Sequence, residues 1–192
     1  MKNIILASSS PRRVELLNQI GIQPSVIKSE IDETIRTGEK PEQIAMSLAF
    51  RKAYDVYKKQ TEGIIIGADT IVVLEGEILG KPKDLQDAFV MLRKLSGKEH
   101  SVITGFSILD FNDNIKVIDY VETLVLFDDL TDNRINEYLK TGEPMDKAAA
   151  YGIQGKGAIL VKRIEGCYFN VVGLPLSKLE YYLRNYFNLN IL

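Results

Sequence analysis

Residues 4–20 read IILASSSPRRVELLNQI, and this stretch decides the fold. Residues 4–7 are apolar and form a short buried strand. Three serines follow. Ser10 stands where a helix N-cap is expected, and Pro11 suits the first helical position because its fixed φ and missing N–H cost nothing there. Leu16, Leu17 and Ile20 share one helical face, and Gly21 supplies the stop. The unit is strand, serine-rich turn, helix, with Arg12 and Arg13 in the first helical turn. A helix N-terminus presents unpaired N–H groups and a partial positive charge. Placed after a strand and beside hydroxyls and two arginines, it can receive a phosphate. A plain N-cap with surface arginines fits the same pattern equally well.

Working outward, strand-like and helix-like segments alternate, which favours an α/β layered fold. Pro41 opens a second helix whose apolar stripe is Ile44, Ala45, Leu48, Ala49, Ala53 and Val56. Lys52 borders that stripe, so it either snorkels or reaches into a cleft. Ile64–Leu74 reads as a strand containing Gly67, Ala68, Asp69 and Thr70. Glu75-Gly76 is a turn, and Asp84 caps a helix carrying Ala88, Met91, Leu92 and Leu95. Residues 100–109 and 116–127 flank Asn112, Asp113 and Asn114 as a long hairpin. Thr131 caps a helix ending at Gly142. A polar loop, 143–157, precedes strands at 158–164 and 167–172, and residues 176–186 close the chain as an amphipathic helix.

The chain has 192 residues, enough for one sizeable domain, 1–192, with its own core. Its 24 basic and 26 acidic residues leave a net charge of -2, which argues against a nucleic-acid-coating protein but not against a small anionic ligand. One cysteine, Cys167, excludes an internal disulfide and fits a reducing compartment. No stretch approaches the roughly 20 apolar residues of a membrane span, so a cytoplasmic location is expected. With a single histidine, His100, beside one cysteine, a zinc site is not expected, and His100 reads as structural or exposed.

Several residues are placed for chemistry. Asp69 follows three isoleucines, where a buried strand leaves the core, and a carboxylate there suits Mg²⁺; hydrogen bonding to a local turn is the plainer reading. The run Ser29-Glu30-Ile31-Asp32-Glu33 can supply a second ligand, although a solvated loop has the same composition and spacing does not single out one carboxylate. Lys52, Lys81 and Lys147 are isolated lysines that, with the arginines, can make the cationic clamp a triphosphate requires. The glycine-rich run Tyr151 to Gly157 contains Gln154, which carries both a donor and an acceptor for a base edge; a flexible connector is the alternative. No Walker A loop occurs.

Together these segments resemble the Maf family of nucleotide pyrophosphatases over nearly the whole chain. The strings LASSSPRRVELL, SEIDE, GADTIV, GKPKD, LSGKEHSVITG, GEPMDKAAAYGIQGKGA, VVGLP and GLPLSKLE stand in the family's order and spacing. The resemblance implies a mixed, twisted α/β sheet with flanking helices. It implies two lobes around a nucleotide cleft, as in the inosine triphosphate pyrophosphatases. It also implies conversion of a nucleoside triphosphate to monophosphate and pyrophosphate with a divalent cation, Mg²⁺ or Mn²⁺. Under it the acidic catalytic residue falls on Asp69 and the second acidic ligand on Glu33. The phosphate-binding positions fall on Ser8, Arg13, Lys52 and Lys81. Three substrate-sorting positions read Arg12, Thr70 and Gln154, a combination resembling the branch that acts on dTTP and UTP. Ala149 stands where the family usually has glycine.

These expectations describe a metal-dependent hydrolase of pyrimidine nucleotides, canonical or modified at the base, that meets neither nucleic acid nor membrane and leaves room for a homodimer. The rival is a nucleotide-binding regulator that restrains septum formation in cell division with little catalysis.

Overall fold

The structure is a computed structural model describing residues 3–34, 38–111 and 114–192. Its elements, in order, are β1 (Ile4–Leu6), α1 (Pro11–Gln19), β2 (Ser25–Val26), α2 (Pro41–Tyr57), β3 (Ile64–Leu74), β4 (Glu77–Leu79), α3 (Leu85–Leu95), β5 (Glu99–Asp110), β6 (Lys116–Phe127), α4 (Asp132–Leu139), β7 (Val161–Glu165), α5 (Tyr168–Val172) and α6 (Leu176–Phe187). The strands form one mixed sheet in the order β2-β1-β3-β5-β6-β7, with β4 on β3. β1 runs parallel to β2 and β3, whereas β4 and β7 pair antiparallel to their neighbours. The expected α/β mixed sheet is therefore present, and no described helix is long and apolar enough to cross a membrane.

By contact, the chain divides into two compact units. The first comprises residues 1–69, 104–121 and 173–192. In it Ile5, Ala7, Ala53, Val56, Ile65 and Leu109 pack together. Helix α2 lies directly on the sheet at two glycines. A Cβ on Gly67 would fall 2.4 Å from the Ala49 carbonyl oxygen, and one on Gly105 would fall 2.3 Å from the Ala45 carbonyl carbon. These two positions lack side chains because the helix backbone occupies that space.

The second unit comprises residues 70–103 and 122–172. Its core is built from Val72, Leu74, Leu92, Leu95, Phe127, Ile135 and Leu160, among others. Glu75 and Gly76 have φ of 51° and 83°, the left-handed pair that a two-residue hairpin needs between β3 and β4. Asp84 accepts from the Asp87 N–H and Thr131 from the Arg134 N–H, so both expected caps are made. Ser10 holds the cap position of α1 with extended backbone but makes no side-chain capping bond.

Three expectations are corrected here. Residues 167–172 are not a strand: Tyr168–Val172 is helix α5. A short aromatic and β-branched run is ambiguous in isolation, and tertiary contacts decide it. Here the fully buried Asn170 donates through Nδ2 to the Val102 carbonyl and to Thr123 Oγ1, both at 2.9 Å. The strand expected at 158–164 begins only at Val161, because Gly155–Leu160 coils as 3-10 helix. The loop 143–157 is less polar than its sequence suggests, since Ala149, Ala150, Tyr151 and Ile153 are buried. The hairpin residues Asn112 and Asp113 lie outside the described residues.

Ala149 and Ala150 have φ of 55° and 59°. The left-handed region costs a residue with a Cβ about 1–2 kcal/mol, so glycine would be less strained than alanine at either position.

His100 is structural. Its Nε2 lies 2.7 Å from the Tyr151 hydroxyl, and its ring meets Phe127 and Tyr151 edge-on. Burial lowers the imidazole pKa to about 4. The folded state thus resists protonation that the unfolded chain accepts near 6.5. The stability this contributes is present above pH 6.5 and is lost as pH falls from 6.5 toward 4. Its full size is about 3 kcal/mol. Urea titrations of wild type and His100→Gln between pH 7 and 4 should show this acid-side loss in wild type only; equal slopes would contradict it.

Candidate functional site

The β1–α1 turn is built as the sequence implies. Ala7 donates its N–H to the Ile66 carbonyl at 2.8 Å, tying the end of β1 to β3. The chain then turns through the serines. Ser8 is buried, and its Oγ accepts from the Ser10 N–H at 3.2 Å and from Arg13 Nη1 at 3.1 Å. Arg13 is also buried, and its Nε donates to the Gly173 carbonyl at 2.8 Å. Burial lowers the guanidinium pKa, opposed by the charges of Asp69 and Glu33 and reinforced by Arg12. An arginine keeps its proton under such conditions, so the first turn of α1 holds a fixed, desolvated positive charge.

Across the same unit, Asp69 on β3 is 8% exposed and Lys52 on α2 is 9% exposed. Lys52 Nζ donates to Asp69 Oδ1 at 2.5 Å and lies 2.8 Å from Glu33 Oε1. Of the two alternatives for Lys52, snorkelling is excluded: the ammonium points inward and bridges two carboxylates. The Glu33 side chain is 60% exposed, so it faces solvent from one side while gripping the lysine. The other acidic residues of its loop are engaged elsewhere. Asp32 accepts from Thr34 N–H at 3.0 Å and from its hydroxyl at 2.6 Å, while Glu30 pairs with Lys59 at 3.1 Å. Thr34 hydrogen bonding holds the Asp32 carboxyl below the usual range.

Five expected residues, Ser8, Arg13, Glu33, Lys52 and Asp69, therefore gather in the first unit. Arg12 is in the same helical turn as Arg13 and is half-buried. The positive and negative groups balance without water-filled separation between Lys52 and its partners. Arg13, Lys52 and Asp69 are buried, so their charges interact through a medium of lower dielectric than water, whereas Glu33 stays largely in solvent. Asp69 and Glu33 offer hard oxygen donors of the type Mg²⁺ and Mn²⁺ take from one or two carboxylates, the remainder coming from phosphates and water. Lys52 already spans both carboxylates, so one cation can be shared between them. Among the described residues no group of three or more His, Cys, Asp or Glu side chains gathers to hold a metal.

The remaining expected residues belong to the second unit or its border. Thr70 follows Asp69 on β3 and is half-buried. Lys81 is exposed between Gly80 and the buried Pro82, and the Gly80 carbonyl accepts from Ala149 N–H at 2.8 Å, which fixes the loop backbone. Lys147 does not join the cationic set as a free ammonium: it donates to the Glu143 carbonyl at 2.5 Å and pairs with Asp146 at 2.7 Å. Gln154 is half-buried with extended backbone, φ -88° and ψ 164°. Sequence reading missed Gly173, whose carbonyl orients Arg13 from 160 residues away, and nothing in a local pattern announces a backbone acceptor at that range. It also gave no role to Glu143, although that residue lies in the string GEPMDK.

With this geometry in hand, the comparisons with known proteins are direct. The family described as Maf-like protein matches residues 3–186. A protein of Clostridioides difficile (strain 630) named dTTP/UTP pyrophosphatase is 53% identical over 189 residues, covering 98% of this chain and 97% of its own. One of the same name from Alkaliphilus oremlandii (strain OhILAs) is 52% identical over 193 residues, covering 100% of both. Another, from Geobacillus sp. (strain WCH70), is 53% identical over 178 residues, covering 93% of this chain and 95% of its own. A match to the family model over residues 3–186, with relatives about half identical over nearly the whole chain, means that this protein belongs to the Maf family.

Proposed function

We propose that this chain is a nucleoside triphosphate diphosphatase that hydrolyses dTTP and UTP to the monophosphate and pyrophosphate. The observation that carries the reading is the cluster of Asp69, Lys52, Glu33 and Arg13: two carboxylates and two buried cations in one unit. Full-length relatives at about half identity bear the name of that activity. Their names favour the hydrolase over the rival reading of a regulator of septum formation.

Arg13 is preset by Ser8 and Gly173, so it can meet a phosphate without first losing rotamer freedom. Ser8, Lys52 and Lys81 add contacts that hold the triphosphate in line for attack. Asp69 orients the attacking water and accepts its proton, with Lys52 holding the carboxylate in place. A divalent cation held by Asp69 and Glu33 supplies, when bound, neutralisation of the charge that develops as pyrophosphate leaves. Arg12, Thr70 and Gln154 select the base. A purine leaves polar groups there unpaired, at about 1–3 kcal/mol each.

The test is product analysis. With UTP or dTTP and Mg²⁺ or Mn²⁺, the protein should release monophosphate and pyrophosphate in equal amounts, and a chelator should stop it. Release of a nucleoside diphosphate with orthophosphate, or no turnover with either metal, overturns the reading.

A further inference from the structure

The glycine-rich run after Gln154 is clamped rather than loose. Glu143 Oε1 accepts from the Lys156 N–H at 3.1 Å, and Oε2 accepts from the Gly157 N–H at 3.3 Å. One carboxylate thus ties down two successive backbone amides, as an anion does in a backbone nest. Gly155, at φ +65°, makes the turn, and a Cβ there would fall 2.9 Å from Glu143 Oε1. The left-handed φ favours glycine here, and any Cβ would push on the carboxylate beside it.

The same loop is held from two further directions. Tyr138 Oη accepts from the Gly152 N–H at 3.4 Å, and a Cβ on Gly157 would meet that hydroxyl at 2.7 Å and the Gly152 carbonyl oxygen at 2.2 Å. The Lys147 side chain lies along Gly152, where a Cβ would be 2.8 Å from its Cδ and Cε. Lys147 Nζ then returns to the Glu143 carbonyl. Of these contacts, only those of Glu143 place a carboxylate on amides two and three residues after Gln154, and hydrogen bonds to a charged group are the stronger kind.

We propose that Glu143 is a positioning residue that fixes Gln154 for base selection. Its carboxylate sets the 155–157 backbone, and through it the direction in which the Gln154 amide points. This role rests on the reading of Gln154 as a base-selecting residue. It adds a specificity determinant that touches neither base nor phosphate.

The experiment measures kcat and KM for UTP and GTP with Mg²⁺ in wild type, Glu143→Ala, Glu143→Gln, Gln154→Ala and the Glu143→Ala/Gln154→Ala double variant, together with the Tm of each. Glu143→Ala should reduce the UTP-over-GTP preference by about tenfold, mainly through a raised KM for UTP, with kcat within about threefold. Glu143→Gln keeps one oxygen acceptor but turns an NH₂ toward the second amide, so its loss should be smaller and in the same direction. In the Gln154→Ala background, Glu143→Ala should change the preference no further, because coupled residues are non-additive. A purely structural glutamate would lower Tm and kcat alike and would leave the preference untouched.

The two ways of failing are distinct. If Gln154→Ala alters the preference while neither Glu143 variant does, or if the double variant loses the two effects additively, the positioning role falls and the base-selecting reading stands. If Gln154→Ala leaves the preference unchanged, both fall. Should Glu143→Ala not fold, Glu143→Gln alone and combined with Gln154→Ala carries the same comparison.

Discussion

Asp69→Asn should leave the protein folded and slow its turnover of UTP by roughly 10²-fold or more. The substitution is nearly isosteric and keeps an oxygen in reach of Lys52, so packing in the middle of β3 is preserved. What it removes is the negative charge to which the proposed function assigns proton acceptance from water and a cation ligand. Lys52 does not become an unpaired buried charge, because Glu33 Oε1 lies 2.8 Å from the same ammonium. The stability loss should therefore stay near the 1–3 kcal/mol of a weakened charged hydrogen bond, below the cost of orphaning a buried ion. Single-turnover measurement of pyrophosphate release, alongside far-UV circular dichroism, separates the two effects. Wild-type turnover in a folded Asp69→Asn variant would remove Asp69 from the chemistry.

Gly67→Ala should be among the most damaging single-methyl changes in the chain. The added Cβ would fall 2.4 Å from the Ala49 carbonyl oxygen and 2.8 Å from both the backbone nitrogen and the Cβ of Ala53. None of these is the end of a flexible side chain, so relief requires moving helix α2 off the sheet. Overpacking against backbone costs about 3 kcal/mol at the upper end of the usual range, which lowers Tm on the order of 10 °C for a chain of this size. Activity should fall further than stability alone accounts for, because α2 also carries Lys52. A helix lifted at Ala49 and Ala53 withdraws the ammonium between them from Asp69 Oδ1, now at 2.5 Å. Thermal melts with UTP kinetics at a temperature where the variant remains folded test this; an unchanged Tm would show that the helix yields without cost.

Gly67 also shows how far a sequence can be read. A glycine in a strand-like run was legible at position 67, but what approaches it was not: the partner comes from α2, many residues earlier. Asp69 was singled out because three isoleucines before it mark a buried strand, but it does not stand where that strand ends: β3 continues through Thr70 to Leu74, so Asp69 is a buried charge in mid-strand. For the loop around Ile31, composition alone left the carboxylates equivalent. The structure separates them, since Asp32 and Glu30 are committed to Thr34 and Lys59 while Glu33 meets Lys52. Residues 167–172 misled because an aromatic, β-branched run has strand character on its own, whereas the buried Asn170 amide holds it as a helix turn.

The alternation of strands and helices, the strand–serine turn–helix unit at residues 4–20, the caps at Asp84 and Thr131, and the family were all legible in the sequence. All of these are written in short-range periodicity, turn chemistry and ordered motifs. Only the tertiary structure decided that Lys52 points inward to join Asp69 and Glu33, that the Gly173 carbonyl orients Arg13, and that Glu143 holds the backbone after Gln154. Those pairings join residues separated by 13 to 160 positions. Their free energy depends on burial and mutual distance, neither of which a local run of residues specifies.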